Sequence, residues 1–167
     1  MGSLYILTPH ATSAPFAPTE VATGTSAKTL LQLAVPSTTT ARVFAWGVAF
    51  DGVTPTDPPG IVELFACTAS SLATVTSFTP DKWEAATSQS SLCVGGANLT
   101  GHTATAEGTL TAYRPLDIQN VHPQSGYAVW FLDGRHASVD ASSQVRIRAT
   151  FSVSINCVPW IIWEEPA

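Results

Sequence analysis

The stretch that decides the fold is Gln144–Glu165, QVRIRATFSVSINCVPWIIWEE. Every second residue from Val145 to Ile155 is apolar: Val145, Ile147, Ala149, Phe151, Val153 and Ile155. Between them lie Arg146, Arg148, Thr150, Ser152 and Ser154. Successive side chains of a strand project to opposite sides, so a period of two marks a half-buried β-strand. The alternation predicts one continuous strand with its arginines and hydroxyls turned to solvent or to another subunit. The apolar run VPWIIW then predicts a closing strand.

The same grammar extends back along the chain. TLLQLAV (Thr29–Val35) is an apolar run stopped by Pro36. ARVFAWGVAF (Ala41–Phe50) places Phe44, Trp46, Val48 and Phe50 on one face and ends in Asp51-Gly52, a pair suited to positive φ. IVELFACT (Ile61–Thr68) follows a loop whose prolines forbid a ladder. HTATAEGTLTAY (His102–Tyr113) alternates strictly until Arg114-Pro115 breaks it, and LDIQNV starts anew. GYAVWFL (Gly126–Leu132) is apolar throughout and ends at Asp133-Gly134. A helical turn is predicted near Lys82–Ala86. Short strands punctuated by Gly, Pro and Asp, with no sustained helical period, predict an all-β chain. The expected architecture is an antiparallel β-sandwich or jelly roll of about eight to ten short strands. Residues 1–24, rich in Pro, Thr and Ala, read as an extended N-terminal arm, and residues 25–167 as a single sandwich domain.

Composition narrows the function classes. Charged residues make up 11% of the 167, against about 25% in an ordinary globular protein. A net charge of −5 argues against nucleic acid as a partner, because a phosphate-binding face needs clustered Lys and Arg. No window of 18 apolar residues suggests a membrane span, and the N-terminus lacks the basic start of a signal peptide. Cys67, Cys93 and Cys157 form no metal-ligand spacing and read as small buried apolar residues, with one disulfide open. A chain so sparing of charge fits a surface much of which is covered by partners.

No catalytic constellation emerges. His10, His102, His122 and His136 stand apart, and there is no H-E-x-x-H, G-x-S-x-G or phosphate-binding glycine loop. Asp133–His136, the densest polar cluster, reads as a tight turn rather than a general base or ion site. The chain is therefore expected not to be an enzyme and to need no cofactor or metal. Two features point to binding. The first is a polar face built from Arg146 and Arg148, with Thr105 and Glu107 on a second strand. Glu164 and Glu165 serve as candidate carboxylate partners, an arrangement suited to an assembly interface. A solubilising face that discourages edge-to-edge pairing explains the same residues equally well. The second is Trp83, placed in a long loop where it could stack on a ligand or simply plug the sandwich; Trp46 and Trp130 read as core. Asn98–Thr100 matches a glycosylation sequon and reads as chance without a leader.

Several stretches together also carry a resemblance. They are KTLLQLAVPSTTTARVFAWGVAFDG, VELF, TATAEGTLTAYRPLDIQNVHPQSGY, LDGRHASVDASSQVRIRAT and VPWIIWEE. Over about Lys28 to Glu165 the chain resembles a group of short proteins encoded by tailed phages of actinobacteria. The resemblance implies a virion structural protein such as a capsid decoration, or cement, protein. It transfers no functional residues. The partners it implies are other copies of the chain, with a trimer as the guess by analogy, and the major capsid protein or other virion proteins. The place implied is the particle surface, after synthesis in the host cytoplasm. The alternatives are a self-assembling tube or filament subunit, and a carbohydrate-binding or host-attachment jelly-roll module.

Overall fold

A computed structural model describes residues 2–11, 17–68, 76, 79–84, 89–93, 104 and 107–166. Among them are eleven strands and no helix: β1 Ser3–Leu7, β2 Val21–Ala22, β3 Lys28–Ala34, β4 Ala41–Phe50, β5 Gly60–Thr68, β6 Asp81–Lys82, β7 Ala112–Val121, β8 Gly126–Trp130, β9 Ala137–Val139, β10 Gln144–Thr150 and β11 Asn156–Glu165. They form two antiparallel sheets. One has seven strands in the order β6-β1-β11-β4-β8, with β2 also paired to β11 and β9 to β4; the other has the order β3-β10-β5-β7. The chain is thus the expected all-β sandwich. From β2 onward almost every connection passes from one sheet to the other, so sequential strands seldom pair.

The stretch Gln144–Glu165 makes this crossing in miniature. The predicted continuous strand stops at Thr150, bends at Ser152 and Val153, and resumes at Asn156 in the opposite sheet. The apolar alternation survives the bend because Phe151 and Ile155 stay buried between the sheets. Phe151 packs edge-on against Phe50 of β4, centroids 5.0 Å apart. Its ring also lies over Gly60, where any side chain would collide with it. In β11, the register with β1 begins at Leu7↔Ile161 and that with β2 ends at Cys157. Pro159 falls in the gap between these partners, where a missing N–H costs no ladder bond on that side.

The core is built from both sheets: Tyr5 and Leu7 of β1, Trp46 and Val48 of β4, and Trp163 of β11 face Leu31 and Leu33 of β3, Val62 and Leu64 of β5, and Val145 and Ile147 of β10. Asp117 of β7 bolts the sheets together at the side. Its Oδ2 accepts from Trp46 Nε1 at 3.2 Å and from the Tyr127 hydroxyl at 2.7 Å.

Several expectations are corrected. The N-terminal residues are not an unpacked arm: β1 sits between β11 and β6, with Tyr5 and Leu7 buried. The helical turn near Lys82 is replaced by β6, which pairs Lys82 with Tyr5; residues 85–86 lie outside the described set. Arg114-Pro115 does not break a strand. β7 runs through it, because β7 is a sheet edge and a register shift opposite Leu64/Phe65 absorbs the irregularity. Glu107–Leu110 are not strand, and Thr105 lies outside the described residues. A further register shift, between Ile162 and Trp163, leaves Phe44 unpaired in β4. A single extra residue reverses the parity of the strand. Phe44 therefore leaves the Trp46 face and stacks on His136 at 3.8 Å.

Candidate functional site

The predicted interface face lies on the four-stranded sheet, on the side away from the core. The register places Arg146 between Gln32 of β3 and Phe65 of β5, and Arg148 between Thr29 and Glu63. This face is not open to solvent. The Arg146 side chain is 0% exposed and that of Arg148 18%. Arg146 donates from Nε and Nη2 to Gln144 Oε1, at 3.1 and 2.6 Å, and from Nη1 to the Glu107 carbonyl at 3.1 Å. Arg148 Nε meets Glu63 Oε1 at 2.6 Å, and its guanidinium lies 4.5 Å from the centroid of the Phe65 ring. Glu63 accepts a second bond from the Tyr113 hydroxyl at 2.6 Å.

Glu107 is the hinge of this arrangement. Its carboxylate receives the Thr29 backbone N–H and, at 2.6 Å, the Thr29 hydroxyl. Its Oε2 also lies 3.9 Å from Arg146 Nη1 and 4.0 Å from Arg148 Nη1. One carboxylate from an irregular segment thus ties that segment down onto β3 and β10. The arginines pair within their own chain, Arg146 with Glu107 and Arg148 with Glu63 and Glu107, so Glu164 and Glu165 are not their partners.

The two terminal glutamates have separate fates. Glu164 lies on the outer face of the seven-stranded sheet, directly across from Arg42, with Nη1 to Oε2 3.8 Å. Glu165 is buried and accepts from the Ser91 hydroxyl, from Leu92 N at 2.8 Å, from Cys93 N at 3.4 Å and from Trp163 Nε1 at 3.1 Å. It holds Ser91–Cys93 against the sheet much as Glu107 holds its own segment. Adjacent residues of a strand point to opposite faces, and this pair does so.

The electrostatics follow from burial. Burial pushes the Arg146 guanidinium below its ordinary range and the Cys67 thiol above its own, and each charge partly counters the other's shift. An arginine starts so high that it stays charged throughout. Burial, reinforced by the Glu165 carboxylate, raises Cys93; burial also raises Cys157, to about 12. All three cysteines are free, buried thiols. Such thiols are poor nucleophiles because the thiolate is disfavoured.

The remaining polar clusters are similarly closed. Arg135 N donates to the Leu132 carbonyl at 2.8 Å and Gly134 has φ 72°, so Asp133–His136 is a tight turn. His10 Nδ1 lies 3.6 Å from Asp81, and His122 Nδ1 accepts from Gln124 N at 3.2 Å; His102 lies outside the described residues. A cleft of about 540 Å³ lined by Ser3, Tyr5, Thr39, Gln89 and Glu165 reaches a carboxylate whose oxygens are already engaged. Among the described residues no group of three or more His, Cys, Asp or Glu could hold a metal ion.

Aromatic exposure differs from expectation. Trp83 is 51% exposed, its backbone N–H bonded to the Leu4 carbonyl at the β6 edge of the seven-stranded sheet. Trp46 is core, but Trp130 is 61% exposed and stands at the opposite edge, beside Trp160 of β11. The exposure of Trp130 is illegible in sequence because GYAVWFL is apolar on both faces, which removes the alternation that tells inside from outside. No protein-family model, curated protein or solved structure matches this chain.

Proposed function

We propose that the chain is a non-enzymatic structural protein of a phage particle that binds an assembled shell and stabilises it. The observation that carries this reading is the inward use of charge. In a chain of low charge, Glu107 and Glu165 fasten irregular segments to the sheets, with Arg146 and Arg148 against Glu107, while Glu63 and Arg148 join adjacent strands. Little charge is left to keep the exterior solvated, which suits a surface met by neighbours rather than by water. The resemblance of Lys28–Glu165 to short virion proteins points the same way. Stabilisation works by mass action: a protein that binds only assembled shell shifts the equilibrium away from disassembly. A rigid sandwich suits the task because it loses little conformational freedom on docking.

The test is to image the purified chain and then add it to shells that lack it. The reading expects discrete particles of the chain alone and saturable binding that raises the temperature of shell disruption. Filaments of the chain alone would favour a tube subunit instead, and shells indifferent to the chain would refute the decoration role.

A further inference from the structure

We propose that Trp130 and Trp160 form a stacking platform for the pyranose rings of a neutral glycan chain, a role independent of shell binding. Their ring centroids are 6.4 Å apart, with planes inclined by 46°. Trp160 lies across the backbone of Gly47, its partner on β4. A Cβ built there would sit 2.6 Å from Trp160 Cζ2 and 2.8 Å from Nε1. Glycine therefore leaves room for the indole against the sheet, where Trp160 is half-buried. Trp130 is paired with Ala45 on the same strand, and Ala128 is paired with Gly47. Ala45 and Gly47 are buried, so the accessible surface is that of the rings themselves and of the exposed Ala128. Among the described residues neither indole N–H has a hydrogen-bond partner, so each is a donor free to meet a sugar hydroxyl.

The chemistry selects the ligand. The face of an indole is electron-rich and attracts the row of C–H groups on one side of a pyranose, while the ring hydroxyls stay in water. The exposed Ala128 and Leu132 carry no charge, and Arg42 and Glu164 on the same outer face pair with each other, which favours a neutral sugar over a sialylated or sulfated one. The inclination of the two planes fits a single twisted chain rather than a flat crystalline surface. A second copy of the protein is the weaker occupant. Two indoles, one of them half-buried, together with the 76% exposed Leu132 offer on the order of a few hundred Å². A standard interface takes about 800 Å² from each partner.

Titration of the full chain with cellohexaose, chitohexaose and maltohexaose, followed by tryptophan fluorescence, tests this. At least one should give a saturable change. Trp130→Ala should then weaken binding about tenfold or more, since it leaves the sugar only one ring to stack on. Trp130→Leu should weaken it likewise while keeping apolar bulk on the strand, and Trp83→Ala, at the far edge, should bind as the parent does. Sedimentation should show the same oligomeric state for all variants. The proposal is overturned if no oligosaccharide gives a saturable change, or if both Trp130 variants bind as tightly as the parent. It is also overturned if loss of Trp130 changes the oligomeric state, because the rings would then belong to a contact between copies.

Discussion

At the scale of the residue, the decisive finding is the burial of Arg146. Alternation correctly assigned Val145, Ile147 and Ala149 to one face and the arginines to the other. It could not show that the second face is covered as well, because what covers it comes from a segment remote in sequence. Both faces of β10 are interior. Replacing both Arg146 and Arg148 by Glu would therefore place four carboxylates, with Glu63 and Glu107, on one covered face of the sheet with none of their present cations to offset them. Breaking a buried pair costs about 3–5 kcal/mol, a large part of the roughly 5–15 kcal/mol that holds a typical domain together. We expect the double variant to be unfolded by circular dichroism; a cooperative melt near that of the parent would contradict the burial. Tyr127 yields a second expectation at this scale. Burial first, and then the Asp117 carboxylate that accepts its hydrogen bond, pushes its pKa up to about 12 from 10.0. The folded state thus resists losing a proton that the unfolded state gives up near pH 10. The stability that Tyr127 confers is intact below pH 10 and drains away as pH climbs toward 12. Alkaline melts of Tyr127→Phe should fall less steeply over that window than those of the parent, although at neutral pH the variant lacks one hydrogen bond, about 1 kcal/mol.

At the scale of the element, β1 shows how strands are gained that composition conceals. The Pro- and Thr-rich surroundings of Ser3–Leu7 suggest an arm, yet SLYIL supplies Tyr5 and Leu7 to the core and pairs with β11 over five residues. Leu7→Ala should therefore cost about 2–5 kcal/mol, as for a fully enclosed leucine, measured by urea denaturation. A loss below about 1 kcal/mol, the scale of a surface change, would mean that β1 is merely laid on the sheet. Strand existence was legible wherever alternation or an apolar run was flanked by turn residues, as in β3, β4, β5, β8 and β10. Three features were not. The break at Ser152–Val153 was hidden because Phe151 and Ile155 keep the alternating pattern across the arch. The passage of β7 through Pro115 was hidden because an edge position cannot be read locally. The reversal at Phe44 was hidden because a bulge leaves no mark in composition. The candidate site suffered the same way: Glu63, which holds Arg148, and Asp117, which bolts the sheets, are isolated carboxylates in sequence and acquire partners only through register.

At the scale of the whole molecule, nearly all stabilising pairings join distant parts of the chain, with Ser3 facing Glu165 as the extreme. Topologies dominated by such pairings lose loop-closure entropy before contacts offset it, so folding is expected in milliseconds to seconds or slower. The result is a sandwich whose irregular segments are pinned from within by Glu107 and Glu165, and whose remaining exterior is poor in charge. That division of labour, with ions inside as fasteners and a quiet surface outside, is the physical ground for reading the protein as a part that is built into something larger. The most direct measurement of the proposed shell role is the protein content of purified particles of any phage found to encode this chain, quantified against the major shell subunit by mass spectrometry. The account predicts that the chain is retained through density-gradient purification in a fixed stoichiometric ratio to that subunit. Its absence from the particles, or its presence only in trace, variable amounts, would contradict the account.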